Sequence, residues 1–426
     1  MASIKQLLRF CLTLGIGLIC LHVNAQLISD KRACGTTAPD VAWENWFSGK
    51  INKLKQDRLA GKSAATTVTI PVIVHILHSG TAVGVAENIS LAQVMSQIDV
   101  LNKDYSGTNT DIVNVPTDFQ SIKAGNTGIQ FCLAKQDPNG IALAEDGVER
   151  INWQTRGWSN PNSYTGVNNA LGLRTYFNDT VKPATIWDPT KYLNIWLAQI
   201  DNSGLLGLST FPIGTGMTDI TSVLETPTTS GVIINQKAWG TIGTAASGNY
   251  NKGRTATHEI GHWLGLYHTF QGGCMGMSTS TCSSEGDYCC DTPPEGSPAY
   301  GCPSGQNTCL ESPTDKPDMT MNYMDYVYDA CMYMFSLDQA TRMQTAMANG
   351  TYRAPLKNSP GCITPKPDLI IDSVKLSQTT VSSGNPVNIS YVVKNIYNGY
   401  SAANYVQFYI SSDNILTPNA NGDTYL

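Results

Sequence analysis

Charge is scarce in this chain: Asp, Glu, Lys and Arg make up 14% of its 426 residues, against about 25% in an average soluble protein. The formal net charge is −6, and there is no basic stripe of the kind that neutralises phosphates, which excludes nucleic acid as a partner. Long apolar runs are missing too. Beyond the N-terminus no segment reaches the ~18 apolar residues of a membrane helix, so no transmembrane anchor is expected in the mature chain. Histidine is rare, six residues in all, which makes any clustering of it informative. Gly, Ser, Thr and Asn stand in place of charge, a balance that suits an exported protein better than a cytosolic one.

The N-terminus points the same way. Lys5 and Arg9 precede the twelve-residue apolar run Phe10 to Leu21, and Val23-Asn24-Ala25 offers small or apolar residues for cleavage. Residues 1–25 therefore read as a signal peptide, too short in its apolar part to stay as an anchor, and the mature chain as secreted. Of twelve cysteines, Cys11 and Cys20 leave with that peptide, and seven of the remaining ten crowd between Cys274 and Cys331. In an exported protein this reads as a disulfide-stapled region, with reactive or metal-binding cysteine chemistry as the alternative.

Three of the histidines lie in H-E-I-G-H-W-L-G-L-Y-H, residues 258–268. His258 and His262, four apart, share one face of a helix and can offer two imidazoles to one metal ion, with Glu259 placed to hold a metal-bound water. On a continuous helix His268 would lie roughly 9 Å further along the axis, out of reach of that ion. The helix must end, and Gly265 is the residue able to end it in a left-handed conformation. The full string H-E-x-x-H-x-x-G-x-x-H is the metzincin signature. An amphipathic helix with ordinary histidines, or a closed structural zinc site, are the blander readings.

Around this stretch the chain divides. Residues 26–64 stand apart, with Lys31-Arg32-Ala33-Cys34-Gly35-Thr36, a Trp43/Trp46/Phe47 cluster and a basic run from Lys50 to Lys62. We read them as a propeptide in which Cys34 either ligates the metal and imposes latency or serves as a disulfide partner. The first alternative leaves an odd thiol, for which Cys132, inside an apolar run, is a candidate. Residues 65–363 read as an α/β catalytic domain. The run Val68 to Leu77 is a buried strand carrying His75 and His78 as packing or surface histidines, and Ser90 with Gln93 forms a capping box for a helix. Further strands are expected at Gly128 to Ala134, Tyr192 to Ile200, Leu205 to Phe211 and Gly231 to Asn235, with Thr255 as N-cap of the motif helix. Residues 269–318 are irregular and need disulfides, with calcium as a candidate second ion near Asp287 and Asp291 beside the reading of solvated turn carboxylates. A linker at Pro365 to Pro367 precedes residues 367–426, where three strand signals begin, but do not complete, an immunoglobulin-like β-sandwich.

The segments G-R-T-A-T-H-E-I-G-H-W-L-G-L-Y-H-T-F-Q-G-G-C, C-C-D-T-P, N-Y-M-D-Y, C-M-Y-M-F and Q-A-T-R-M resemble the pappalysin family of metzincins, particularly its secreted, ulilysin-like bacterial members. The resemblance spans roughly residues 30 to 350. It implies an α/β (α+β) domain with a twisted mixed sheet and an active-site helix, and a secreted zinc endopeptidase acting on protein or peptide substrates. By it, His258, His262 and His268 bind Zn2+, Glu259 is general base and acid, Met324 forms the Met-turn and Tyr326 faces the metal, a packed aromatic being the blander reading. The edge strand through Leu206, Gly207 and Leu208 takes extended substrate antiparallel, and Cys274 pairs with Cys309 and Cys302 with Cys331. Cys282, Cys289 and Cys290 exceed the family pattern. Members that prefer basic residues carry an acidic side chain just before the cysteine after the Met-turn; here Ala330 stands there, with Asp329 one step earlier. The C-terminal part resembles cell-adhesion-related immunoglobulin-like domains and implies contact with a cell surface or matrix. Two competing functions are a zinc-bearing adhesion protein with a vestigial centre, against which the intact Glu259 counts, and a zinc amidase for non-protein substrates.

Overall fold

The computed structural model describes residues 31–62, 67–217, 223–245, 247–278, 280–311, 315–382, 384–396, 399, 406–410 and 424–425; the signal peptide assigned to residues 1–25 lies outside them. In chain order the elements are α1 (Val41–Leu59), β1 (Val68–His78), α2 (Leu91–Ser106), β2 (Ile129–Leu133), β3 (Val148–Asn152), α3 (Ala170–Tyr176), α4 (Lys182–Thr185), β4 (Leu193–Ala198), β5 (Gly207–Ser209), β6 (Val232–Asn235), α5 (Arg254–Trp263), α6 (Leu337–Asn349), β7 (Leu369–Leu376), β8 (Ile389–Asn395), β9 (Tyr409–Ile410) and β10 (Thr424–Tyr425).

β1 organises the main sheet. Its β-branched run is buried from Ile70 to Leu77, as befits a strand covered on both faces. On one side β2 runs parallel to its first half and β3 to its second; on the other lies β4, then β6, with β5 antiparallel at the outer edge. No strand was expected at β3, because V-E-R-I-N is polar by composition; the unpaired half of β1 makes it one. On one face Val72, Val74 and Ile76 pack with Val94, Ile98, Ile260 and Met343 from α2, α5 and α6. On the other, Trp196 and Ile233 meet Leu173, Phe177 and Leu208. His75 is buried in this layer, its ring nitrogens 2.6 Å from Glu149 Oε2 and 2.9 Å from Asn194 Oδ1.

Several local expectations need correction. Ser90 caps α2 by accepting the Gln93 N–H, but the Gln93 side chain donates to Trp239 O and Thr244 Oγ1. The reciprocal box forms instead at Ser336 and Gln339, opening α6. Cys132 is no free thiol: it is bonded to Cys362, 230 residues away, a pairing no local pattern discloses. The unpaired cysteines among the described residues are Cys34 and Cys289.

Beyond the linker, β7 and β8 form an antiparallel pair from Leu369↔Asn395 to Leu376↔Ile389. Large apolar side chains there, Ile371, Val374 and Val392 among them, remain exposed. A short strand, β9, pairs antiparallel with β10. Among the described residues these are two separate two-stranded pairs rather than a sandwich.

Candidate active site

α5 carries the first two histidines; its N-terminus is held from elsewhere in the chain and its C-terminus by the motif's own glycine. Thr255 lies inside the helix; the N-cap is Gly253, which lacks a capping side chain. Asp329, from the far side of the chain, supplies the missing acceptor: its Oδ2 receives the N–H groups of Lys252 at 2.9 Å and Arg254 at 3.2 Å. A carboxylate there satisfies orphan donors and favours the helix dipole. At the other end Gly265 turns left-handed (φ 88°). Its N–H donates to His262 O at 2.8 Å and that of Leu266 to Gly261 O at 3.0 Å, the paired closure of a Schellman motif. The chain reverses and returns His268 to the face of His258 and His262.

The three rings then converge. His262 Nε2 lies 3.2 Å from His258 Nε2 and 3.0 Å from His268 Nε2. The opposite nitrogens are engaged: His258 Nδ1–H donates to Tyr323 O at 2.7 Å and His262 Nδ1–H to Leu266 O at 2.8 Å. These bonds fix the tautomer and aim bare Nε2 lone pairs inward, as in metal centres. Burial lowers all three pKa values, that of His262 to about 4, so the rings are neutral and ready to ligate. Three imidazole nitrogens this close, two of them on rings whose N–H is committed on the opposite side, suit a cation better than any protein partner. Met324 is fully buried beneath, so close to Gly261 that an added Cβ would meet its Sδ at 2.5 Å.

The fourth donor is Cys34. Its Sγ and the three imidazole nitrogens all lie within 4.8 Å of one another. The residue keeps some exposed surface, but its thiol is enclosed; burial, then the Glu259 charge, pushes its pKa well above the ordinary thiol value, a direction an adjacent cation would reverse. Cys34 Sγ donates to Glu259 Oε2 at 3.4 Å and Thr36 Oγ1 to the same oxygen at 3.0 Å. Glu259 is itself buried, which raises its pKa to about 7 against the lowering effect of those bonds. Tyr326 Oη accepts the Cys34 N–H at 3.4 Å, and its ring lies 5.0 Å from that of His268.

The outer edge of β5 is also taken. Leu206 N–H donates to Ala33 O at 2.9 Å and Gly35 N–H to Gly207 O at 2.8 Å, pairing Cys34 with Gly207 in parallel. Leu208 lies buried on the inner side of the same strand.

Arg32 was overlooked in sequence, although two residues before Cys34 on an extended chain place both side chains on one face. It enters a buried pocket where NH2 donates to Asp329 Oδ1 at 2.7 Å, NH1 to Thr255 Oγ1 at 3.1 Å and Nε to Val327 O at 3.3 Å. Its guanidinium lies over the Tyr250 ring, 5.0 Å from the centroid. Asp329 thus serves the helix with one oxygen and a guanidinium with the other. In the stretch that follows His268, disulfides join Cys274 to Cys309, Cys302 to Cys331 and Cys282 to Cys290, which leaves Cys289 as the odd thiol.

Comparison with known proteins agrees with this geometry. Residues 175–348 match the Peptidase M43 family, described as pregnancy-associated plasma protein-A. An extracellular metalloprotease of Arthroderma otae is 30% identical over 329 residues, covering 76% of this chain and 94% of the relative. One from Sordaria macrospora is 32% identical, covering 73% and 86%. Among solved structures, mature mirolysin of Tannerella forsythia with a cleaved peptide is 34% identical (TM-score 0.54; 69% of this chain, 97% of that one). The E225A mutant of promirolysin is 31% identical (TM-score 0.56) and covers 77% of this chain and 97% of its own. The adhesion and amidase readings give way to a peptidase. The chain belongs to the pappalysin family, the M43 metalloendopeptidases of the pregnancy-associated plasma protein-A type.

Proposed function

We propose that this is a secreted zinc endopeptidase in its latent form, and that the converging Nε2 atoms of His258, His262 and His268 carry that reading. These three residues would hold the ion. Zinc held there would supply Lewis acidity, lowering the pKa of a water at the site to about 7. The protein's own contribution follows from the side chains around it. Glu259, ionised, accepts the proton of the attacking water and returns it to the leaving amine, the two roles of a positioned general base and acid. Tyr326 donates its hydroxyl to the oxygen that gains charge on the scissile carbonyl. Substrate lies extended along β5 at Leu206 to Leu208, adding an antiparallel strand.

Cys34 holds this machinery off. Its thiol joins the histidine cluster, Thr36 occupies Glu259, and the segment Ala33 to Gly35 fills the β5 edge in the parallel sense. That direction is opposite to the one proposed for substrate, so the peptide groups are presented reversed to Glu259 and Tyr326. The pocket around Asp329 supports a preference for arginine beside the scissile bond despite Ala330: a carboxylate, a hydroxyl and a carbonyl that accept, together with a ring face, are matched by the donor fork of a guanidinium better than by an ammonium. Calcium is proposed for the small cavity, about 10 Å³, whose lining residues include Glu285, Asp287 and Thr292, side chains whose oxygens suit a hard cation. The exposed β7–β8 pair is proposed to belong to an immunoglobulin-like module contacting a surface or matrix.

The test is Glu259→Ala in the processed, zinc-loaded enzyme. Peptidase activity should fall by about 10³-fold or more while zinc content stays at one per chain. Activity within tenfold of wild type overturns the assignment. A peptide library reports the arginine preference in the same assay.

A further inference from the structure

Two carboxyls that the mechanism does not use meet beneath the site. Glu295 and Asp325 are fully buried, and the two carboxyls are near neighbours, each leaving one oxygen without a hydrogen-bond partner. Each has one oxygen otherwise engaged. Glu295 Oε2 accepts the Thr269 hydroxyl at 2.7 Å, while Asp325 Oδ1 accepts the N–H groups of Tyr326 at 2.7 Å and Ala299 at 3.0 Å. The remaining oxygens, Glu295 Oε1 and Asp325 Oδ2, have no donor from any other residue. Two bare carboxylates in such contact would repel, and a carboxylate has no hydrogen to give. We propose that Glu295 and Asp325 share one proton and act as a positioning latch, tying the loop that bears His268 to the turn that bears Tyr326.

The connections are short. Thr269 follows His268 directly and its N–H also reaches Met324 O at 3.4 Å; Asp325 stands between Met324 and Tyr326. Loss of the proton would place two negative charges in contact and part the loop from the turn, moving the Tyr326 hydroxyl. Burial, then the facing carboxyl, raises Glu295; burial also raises Asp325. Of the other charges facing the pair, Asp318 opposes ionisation of both, whereas Arg32 favours that of Asp325. Tyr300 lies alongside. Departure of the N-terminal segment removes Arg32 and so strengthens the pair's hold on its proton.

The latch rests on the proposed function only for its consequence, so the first two measurements need no catalysis. In the full chain, isotope-edited infrared spectroscopy near pH 7 should show a protonated-carboxyl stretch that Glu295→Gln abolishes. Glu295→Gln keeps a donor to Asp325 without a titrating proton, so the alkaline fall of the melting temperature should be flattened relative to wild type. In the processed enzyme the same variant should keep neutral kcat within about threefold and carry its activity roughly one pH unit further into the alkaline range. Glu295→Ala should lower kcat about tenfold with KM little changed. If Glu295→Gln does not fold, Asp325→Asn serves in the infrared and melting experiments. Absence of the carboxylic-acid band in wild type, or an unchanged alkaline limb in Glu295→Gln, overturns the proposal.

Discussion

Two regions border the histidine centre without a regular core of their own, and they are fastened by different means. Residues 31–62 hold to the catalytic domain through reversible contacts: the buried ion pairs Arg32–Asp329 and Glu44–Arg342, and Trp43 and Phe47 packed with Phe211 and Tyr267. No disulfide joins them to it. Residues 269–318 are tied by Cys274–Cys309 and Cys282–Cys290 within the stretch and by Cys302–Cys331 to the segment after the Met-turn. If the N-terminal segment leaves on activation, as proposed, burial and charge suffice to hold it, because proteolysis would remove it and water would replace its contacts. A region that must stay while that happens is safer cross-linked, since a disulfide acts chiefly by restricting the unfolded chain.

The comparison can be broken in a definite order. Glu44→Ala leaves Arg342 buried without its carboxylate, which should cost about 3–5 kcal/mol; thermal unfolding and limited proteolysis of the full chain should show the N-terminal segment loosened. An unchanged melting temperature would mean the pair is not what holds α1. Replacing Cys274 and Cys309 by Ser opens a 35-residue loop, with an expected loss of about 4 kcal/mol, while the 8-residue loop of Cys282–Cys290 should be worth about 2.5. Denaturant titration that ranks the two the other way would point to strain or metal binding in place of chain entropy. Cys34→Ala should change stability little yet let the unprocessed chain cleave peptides slowly; continued full latency would shift the inhibitory role to Arg32 and Thr36.

The smallest effect is a slope. Burial raises the Asp287 pKa from 3.8 to about 7, so between those values the folded chain holds a proton that the unfolded chain has released. Stability from this group is complete below about 4 and declines as pH rises to about 7. Calcium in excess should remove the decline, and Asp287→Asn should flatten it, as followed by melting temperature in chelator against pH.

Much of this was legible along the chain because its cause is local. The four-residue spacing of His258 and His262, the glycine at 265 and the β-branched run of β1 each act within a turn or a strand. The disulfide of Cys132 with Cys362, the strand β3 and the N-cap of α5 were not legible. Each depends on a partner supplied from elsewhere: Cys362 across 230 residues, the free half of β1, and the Asp329 carboxylate. The same division runs through the site. Residue order by itself determined which side chains could ligate a metal and where the helix bearing them must stop, since spacing and a left-handed glycine set both. Only tertiary structure decided that Arg32 fills the Asp329 pocket, that Thr36 occupies Glu259, and that two carboxyls face each other under Tyr326. Charge and hydrogen-bond pairing across hundreds of residues depends on distance in space, which no sequence spacing encodes.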